Sequence, residues 1–294
     1  MKADPDIAPA KRSRLKRLIR SFCILVVLAA AAWGGLTIWM RQASPMKDLP
    51  AWITQRPIAH RGLHNAAAGA PENSLAAFQR AVDAGYPIET DVHLLTDGRL
   101  AVFHDFTLKR MTGDPRDVAV CTSAEIVALR LGGTDQHVPL LEEVLALVNG
   151  RVPILIEIKT RSRTDRRLEK ALAAALDKYS GPVAVQSFNP YSLKWFAKHR
   201  PNIARGQLAT DFNSPDTAEL DLPWYQKTAL RHLLLSGQSR PSFIAYDARA
   251  LPAWAVNQKR AAGLPVLAWT VRANADKSAA AAYCDNIIFE GWMP

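Results

Sequence analysis

Residues 152–159 read Val-Pro-Ile-Leu-Ile-Glu-Ile-Lys, an apolar run that ends with a glutamate and a lysine. A short apolar run of this length predicts a buried strand. Side chains alternate along a strand, so Glu157 and Lys159 lie on the face opposite Ile156 and Ile158. A carboxylate that points into a core is costly unless it is paired or bound to a metal ion. The stretch therefore predicts a core strand whose end carries chemistry.

Strand-like stretches alternate with helix-like stretches on both sides of it. The other strand candidates are residues 57–62, 86–94, 181–188, 203–209, 242–247, 264–271 and 286–289. The helix candidates are residues 74–84, 140–148, 166–179, 191–198, 223–235, 253–262 and 277–282. Eight short strands alternating with helices predict an α/β fold, a (β/α)8 TIM-type barrel over residues 56–294. A doubly wound open sheet is the alternative, but its Gly-rich first turn is missing.

One further strand candidate does not belong to this alternation. Residues 99–104 follow the second strand directly after Asp97-Gly98, a dipeptide typical of a tight turn. We therefore expect a short hairpin partner for the second strand.

Polar residues collect where the predicted strands end. The first strand ends in His-Arg-Gly at residues 60–62, and the second carries Glu89 and Asp91 on one face. In a parallel barrel these ends meet at one face, where active sites form. With Glu157, the three carboxylates exceed what Lys159 alone neutralises, which predicts a hard divalent cation, Mg²⁺ or Ca²⁺. Each residue alone is more typical of a salt bridge or the protein surface; their combination favours a site.

The order of the motifs resembles the glycerophosphodiester phosphodiesterase family, in its compact bacterial form. The motifs run from about residue 58 to the C-terminus and are His-Arg-Gly 60–62, Pro-Glu-Asn-Ser 71–74, Glu89-x-Asp91, Thr-Asp-Gly 96–98, Val-Phe-His-Asp 102–105, Val-Pro-Leu-Leu-Glu-Glu 138–143, Glu157-x-Lys159, Gln-Ser-Phe 186–188 and Trp-Thr-Val 269–271. The last strand departs from the family, since it ends in Glu290-Gly291 where an Asp before Pro is common.

This resemblance implies metal-dependent hydrolysis of glycerophosphodiesters to glycerol 3-phosphate and an alcohol. The implied roles are acid–base catalysis by His60 and His104, metal binding by Glu89, Asp91 and Glu157, and phosphate or substrate binding by Arg61, Lys159 and Trp269. Histidine suits either proton-transfer role because its reference pKa is near 6.5. Whether the first nucleophile is water or the substrate's own hydroxyl, which would give a cyclic phosphate, stays open.

The N-terminus predicts a membrane anchor. Residues 1–20 carry seven basic and two acidic side chains, whereas residues 21–40 carry no charge and would span about 30 Å as a helix. We expect a cytoplasmic tail (1–20), an inner-membrane anchor (21–40), a linker (41–55) and an exported, periplasmic or extracellular catalytic domain. A cleaved signal peptide is the alternative. Because basic clusters commonly flank anchors, the net charge of +10 does not predict a nucleic-acid partner.

Two other functions remain open at this point. Action on lysophospholipids or sphingolipids, as by a lysophospholipase D, would need an apolar groove beside the metal for the chain of the lipid. A catalytically inactive binding domain is disfavoured, since neither histidine and none of the three carboxylates is missing. Whether Cys121 and Cys284 pair also stays open.

Overall fold

The structure, a computed structural model, describes residues 7–41, 43, 45–213, 217 and 220–294. It divides into two compact units, one up to residue 42 and one from residue 43. The first unit contains helix α1 (Ile7–Met40), which covers most of the predicted tail and the whole predicted anchor. Residues 1–6 of the tail lie outside the described residues. Among the described residues, Lys16–Met40 is the one helical stretch long and apolar enough to cross a membrane.

The second unit is a closed barrel. Its strands are β1 (Ile58–Ala59), β2 (Ile88–Leu94), β3 (Leu100–Val102), β4 (Ile154–Ile158), β5 (Val183–Ser187), β6 (Ala204–Ala209), β7 (Phe243–Asp247), β8 (Val266–Val271) and β9 (Asn286–Phe289). All but β3 are parallel, and the pairing of β1 with both β9 and β2 closes the ring. The predicted TIM-type barrel is therefore confirmed, and an open sheet is excluded.

Helices surround the ring. They are α2 (Trp52–Gln55), α3 (Leu75–Asp83), α4 (Lys109–Thr112), α5 (Ser123–Ala128), α6 (Leu141–Val148), α7 (Arg167–Leu176), α8 (Pro190–His199), α9 (Trp224–Arg231), α10 (Ser236–Ser239), α11 (Trp254–Ala261) and α12 (Asn274–Ala280). The sequence predicted one helix over residues 223–235, but α9 ends at Arg231 and the next helix, α10, begins only at Ser236. Leu233 adopts a left-handed conformation, with φ of 53°, and buries its side chain at this break.

The N-terminal end of the barrel is closed by apolar side chains. Ile53 of α2 is fully buried and packs with Ile58, Leu155 and Phe243 in the barrel interior. The side chain of Asn286 holds α2 in place by donating to the carbonyl of Ile53 at 2.8 Å. The end of the predicted linker is thus part of the barrel packing, and the polar strand ends lie at the opposite face.

The predicted hairpin strand is confirmed as β3, which pairs antiparallel with β2. It continues into a second apolar cluster that includes Phe103, Leu108 and Cys121. Cys121 and Cys284 are both buried and both free, so they do not pair. The register across β2, β4 and β5 places Asp91, Glu157 and Gln186 side by side, so these three polar residues form one row across neighbouring strands.

Candidate active site

The His-Arg-Gly turn that follows β1 brings the backbone after His60 close to α3 and β2. The chain passes through left-handed conformations at Arg61 (φ 55°) and Gly62 (φ 80°). A Cβ on Gly62 would lie 2.9 Å from the carbonyl carbon of Ala77 in α3, so both the conformation and the close approach require glycine here. The turn points the backbone N–H of Arg61 at Oε2 of Glu89, at 3.1 Å. It therefore couples the end of β1 to the carboxylates of β2.

Glu89, Asp91 and Glu157 form a buried carboxylate triad. Each offers an oxygen that lies within 4.8 Å of the other two. Within the described part of the chain, Oδ1 of Asp91 has no hydrogen-bond partner, although Nζ of Lys159 lies 3.2 Å away. Buried anionic oxygens with unused lone pairs suit a hard divalent cation. The residues of this triad therefore fit a metal ion, and they include all three predicted ligands.

Two amide side chains orient the triad. Asn73 donates to Oδ2 of Asp91 at 2.9 Å and accepts from the hydroxyl of Thr90 at 2.9 Å. Gln186 donates to Oε1 of Glu89 at 3.1 Å. Such outer contacts fix the direction of metal ligands. Both amides stand in motifs recognised from the sequence, but neither received a role there, because only the fold shows which carboxylate each one meets.

The carboxylates of the triad ionise unequally. Burial and repulsion from Asp91 and Glu157 raise the pKa of Glu89 well above its usual value. Burial also raises the pKa of Glu157, to about 7, against the attraction of Lys159. Burial works against the ionisation of Asp91, but its interactions with Lys159, His104 and Arg61 outweigh burial and lower its pKa. If all three carboxylates ionised, the triad would carry more negative charge than the neighbouring cations neutralise, so added positive charge would favour its ionised form.

Each predicted catalytic histidine is anchored through Nδ1 by a carboxylate. Nδ1 of His60 lies 2.5 Å from Oε2 of Glu290, and Nδ1 of His104 lies 2.6 Å from Oδ1 of Asp105. We assign the Nδ1 proton to these bonds, since a carboxylate only accepts. Nε2 of each ring is then left to exchange a proton. Burial is the largest effect on both rings and lowers the pKa of each.

Glu290 and Asp105 are functional candidates that sequence reasoning missed. Asp105 was visible as the neighbour of His104 in the Val-Phe-His-Asp motif. Glu290 was noted only as a departure from the family, and the signal was that it keeps the carboxylate and adds one methylene. Burial works against its ionisation, but the hydrogen bond and charge of His60, followed by Arg272, hold its pKa below the usual value. Glu290 is thus an ionised partner for a ring that lies far away in sequence.

The carboxylate of Glu72 links Arg61, which follows His60, to Arg110, which contacts the partner of His104. Its Oε1 accepts from Arg61 at 2.8 Å and from Arg110 at 2.7 Å. Arg110 in turn donates to both oxygens of Asp105, at 2.6 and 2.9 Å. This network fixes the Arg61 guanidinium and the partner of His104 together.

Replacing Glu72 by Gln should destabilise the protein in a pH-dependent way. Burial alone would raise the pKa of Glu72, but Arg61 and Arg110 lower it from 4.5 to about 2. A depressed folded-state pKa stabilises the protein above the unfolded-state pKa, and the effect is lost as pH falls through the folded-state value. We expect the variant to lose about 3 kcal/mol of unfolding free energy at pH 7. The difference should shrink between pH 4.5 and 2, as measured by urea midpoints without added metal; a difference independent of pH would contradict it.

The two histidines and most of the triad line one small cavity, of about 20 Å³. Trp269 and Phe188 also line it, with the two rings edge to face at 5.7 Å. Nε1 of Trp269 is buried and, among the described residues, has no hydrogen-bond partner. Lys159 lies beside the cavity, with Nζ 2.8 Å from Oε1 of Glu157. All eight predicted site residues therefore gather at the C-terminal end of the barrel.

Two carboxylate-anchored histidines lie beside a buried acidic triad that could hold a metal ion, at the C-terminal face of a (β/α)8 barrel. This combination is typical of a barrel enzyme. Residues 60–290 match the Glycerophosphoryl diester phosphodiesterase family, and the chain belongs to that family. The predicted resemblance is thus confirmed.

Individual relatives agree with this placement. A glycerophosphodiester phosphodiesterase of Caldanaerobacter subterraneus is 36% identical over 51% of this chain and 65% of its own, so the chain spans about two thirds of that relative. The lysophospholipase D of Rattus norvegicus is 36% identical over 48% of each chain. An Oleispira antarctica phosphodiesterase, solved with its product sn-glycerol-3-phosphate, is similar in fold, with a TM-score of 0.64, 24% identity and coverage of 81% of this chain and 93% of its own.

Proposed function

We propose that this protein hydrolyses glycerophosphodiesters to glycerol 3-phosphate and an alcohol, using a divalent cation. The observation that carries the proposal is the pair of histidines, each with Nδ1 held by a carboxylate, on the wall that also contains Glu89 and Glu157. The family supports the same activity, and the Oleispira relative holds the expected product.

In this proposal each side chain has one task. One of His60 and His104 accepts the proton of the attacking hydroxyl through Nε2, and the other donates a proton to the departing alkoxide. Arg61 and Lys159 bind the phosphate and oppose the charge that gathers on its non-bridging oxygens. The indole N–H of Trp269 supplies one more donor to the substrate. The carboxylates behind the rings hold the Nδ1 proton of both imidazoles, so that Nε2 of the neutral ring accepts a proton and Nε2 of the protonated ring donates one.

Glu89, Asp91 and Glu157 would hold the cation, Mg²⁺ or Ca²⁺, which supplies further charge neutralisation at the phosphate. Oxygen ligands suit both ions. Asn73 and Gln186 keep two of the three carboxylates aligned for it.

The activity is tested with the full-length protein in detergent, stripped of metal by chelation. Choline release from glycerophosphocholine should be absent after chelation and should return with Mg²⁺, Ca²⁺ or Mn²⁺ in excess. Glycerophosphoethanolamine and glycerophosphoglycerol extend the test to other head groups. Lack of turnover on every diester with every metal would favour the inactive binding domain instead.

We further propose that α1 anchors the protein in the inner membrane, with residues 1–20 in the cytoplasm and the barrel outside. The apolar stretch Lys16–Met40 and its basic flank support an N-inside orientation. Protease added to intact spheroplasts should digest the barrel, because the proposal places the barrel outside the membrane. Protection of the barrel would contradict the orientation, and loss of residues 1–40 from the mature chain would favour a cleaved signal peptide.

A lysolipid is the second candidate substrate. Its support is the rat lysophospholipase D, which resembles about half of this chain. Such a substrate differs from a glycerophosphodiester by one acyl chain, so the reacting phosphate would use the same residues.

A further inference from the structure

An apolar groove of about 240 Å³ lies across the loops that follow β4, β5 and β6. Its walls are mostly hydrocarbon, and the residues that matter here are Phe188, Tyr191, Leu222, Tyr225, Ala229 and Leu230. Parallel strands end at the catalytic face, so these loops border the mouth of the barrel. The groove is a feature that the proposed hydrolysis of small diesters does not use.

The groove adjoins the catalytic cavity. Phe188 forms a wall of both, and Thr160, which also lines the groove, directly follows Lys159. The volume of the groove is below the roughly 300–1,000 Å³ of complete small-molecule sites. The groove therefore suits one part of a ligand whose reacting part lies in the neighbouring cavity.

The charged residues at the groove are already engaged. Arg163 donates to the hydroxyl of Tyr191 at 2.8 Å, and its guanidinium lies 5.1 Å from the centre of that ring. Arg161 lies over the ring of Phe106, at 3.9 Å. With both guanidiniums held against aromatic rings, the character of the groove is set by its apolar wall, which favours a hydrocarbon occupant over a polar head group.

Large aromatic side chains stand exposed at the rim. Trp224 and Tyr225, in the first turn of α9, are 77% and 56% exposed, and their rings meet edge to face at 6.0 Å. Tyr225 also lines the groove. Adjacent exposed aromatics at the mouth of an apolar groove are typical of a surface that meets an apolar ligand.

We propose that this groove binds the hydrocarbon chain of a monoacylated glycerophosphodiester while its phosphate occupies the catalytic cavity. This inference rests on the proposed function, since the same histidines and triad carry the reaction. Three observations select the occupant: the wall is apolar, Phe188 is shared with the catalytic cavity, and the volume fits a fragment of a substrate. The groove then sets the preference for chain-bearing over chain-free diesters.

The test is a series of monoacyl glycerophosphocholines with butanoyl, hexanoyl and octanoyl chains, below the concentrations at which they aggregate. The full-length protein is placed in phospholipid nanodiscs, because free detergent would compete for the groove. Glycerophosphocholine is the chain-free reference. Each methylene that enters the groove contributes up to about 0.8 kcal/mol, or about fourfold. We expect kcat/KM to rise at least about tenfold from butanoyl to octanoyl.

Two variants on α9 locate the effect. Ala229→Trp fills the groove and should lower kcat/KM for the octanoyl compound at least about tenfold, with glycerophosphocholine turnover unchanged. Thr228→Trp adds the same side chain at an exposed position that does not line the groove, and should change neither. If Ala229→Trp does not fold, Leu222→Asp, which places a charge in the groove, takes its place with the same expected result.

The possible failures are distinguishable. Turnover of glycerophosphocholine with no dependence on chain length overturns the groove proposal and leaves the diesterase intact. Equal behaviour of Ala229→Trp and Thr228→Trp on the octanoyl compound overturns it as well. No turnover of any compound overturns the proposed function on which it rests.

Discussion

Removing either of the proposed catalytic histidines, as His60→Ala or His104→Ala, should lower kcat/KM for glycerophosphocholine by about 10²–10⁴-fold. Each substitution deletes the Nε2 that exchanges a proton with the substrate. It also leaves a carboxylate, Glu290 or Asp105, without its ring partner. The measurement is steady-state choline release at saturating metal. A double variant should be little slower than either single one, because proton acceptor and donor act in one step.

A matched control separates catalysis from folding. His137 also pairs with a carboxylate, Glu143, at 3.0 Å, but lies outside the catalytic cavity. His137→Ala should therefore keep full activity. The assignment of His60 and His104 would be wrong if their alanine variants retained activity, or if activity fell only in proportion to the folded fraction measured by circular dichroism.

The second large effect is expected from Glu157→Gln. The substitution keeps the shape of the side chain but removes one of the three carboxylates of the triad. We expect the metal concentration for half-maximal activity to rise at least about 100-fold, since lesser changes in the surroundings of a metal already cost 10–100-fold. A second readout is independent of turnover: metal should raise the Tm of the native chain and leave that of the variant nearly unchanged.

Glu169→Gln is the control for loss of a buried charge. Glu169 is fully buried and accepts from Arg166 at 2.6 Å and from Ser192 at 2.5 Å, away from the triad. Its substitution should lower stability while the metal response stays native. If Glu157→Gln kept the native metal response, or if both variants lost it equally, the triad would not be the metal site.

Much of the site was predictable because it depends on local patterns. The alternation of side chains places Glu89 and Asp91 on one face of β2, and the same alternation places Glu157 on the face shared with Lys159, which directly follows β4. Parallel strand ends then bring these residues together whatever the details of the helices. This is why all eight predicted residues lie together in the structure.

The partners of those residues depend on long-range packing, which no local pattern reports. Glu290 reaches His60 only because β9 closes the ring beside β1. Glu72 joins Arg61 to Arg110 through the loop before α3. The break between α9 and α10 also follows no local pattern: α9 ends at Arg231, and Leu233 is buried in a left-handed conformation within the break.

The most direct test of a two-histidine, metal-dependent glycerophosphodiesterase is ³¹P NMR of glycerophosphocholine incubated with three samples. These are the chelated protein, the metal-restored protein and metal-restored His60→Ala/His104→Ala. We predict glycerol 3-phosphate as the final phosphorus product, at an appreciable rate in the metal-restored native sample alone. Phosphocholine as the product, or equal rates in all three samples, would contradict the assignment.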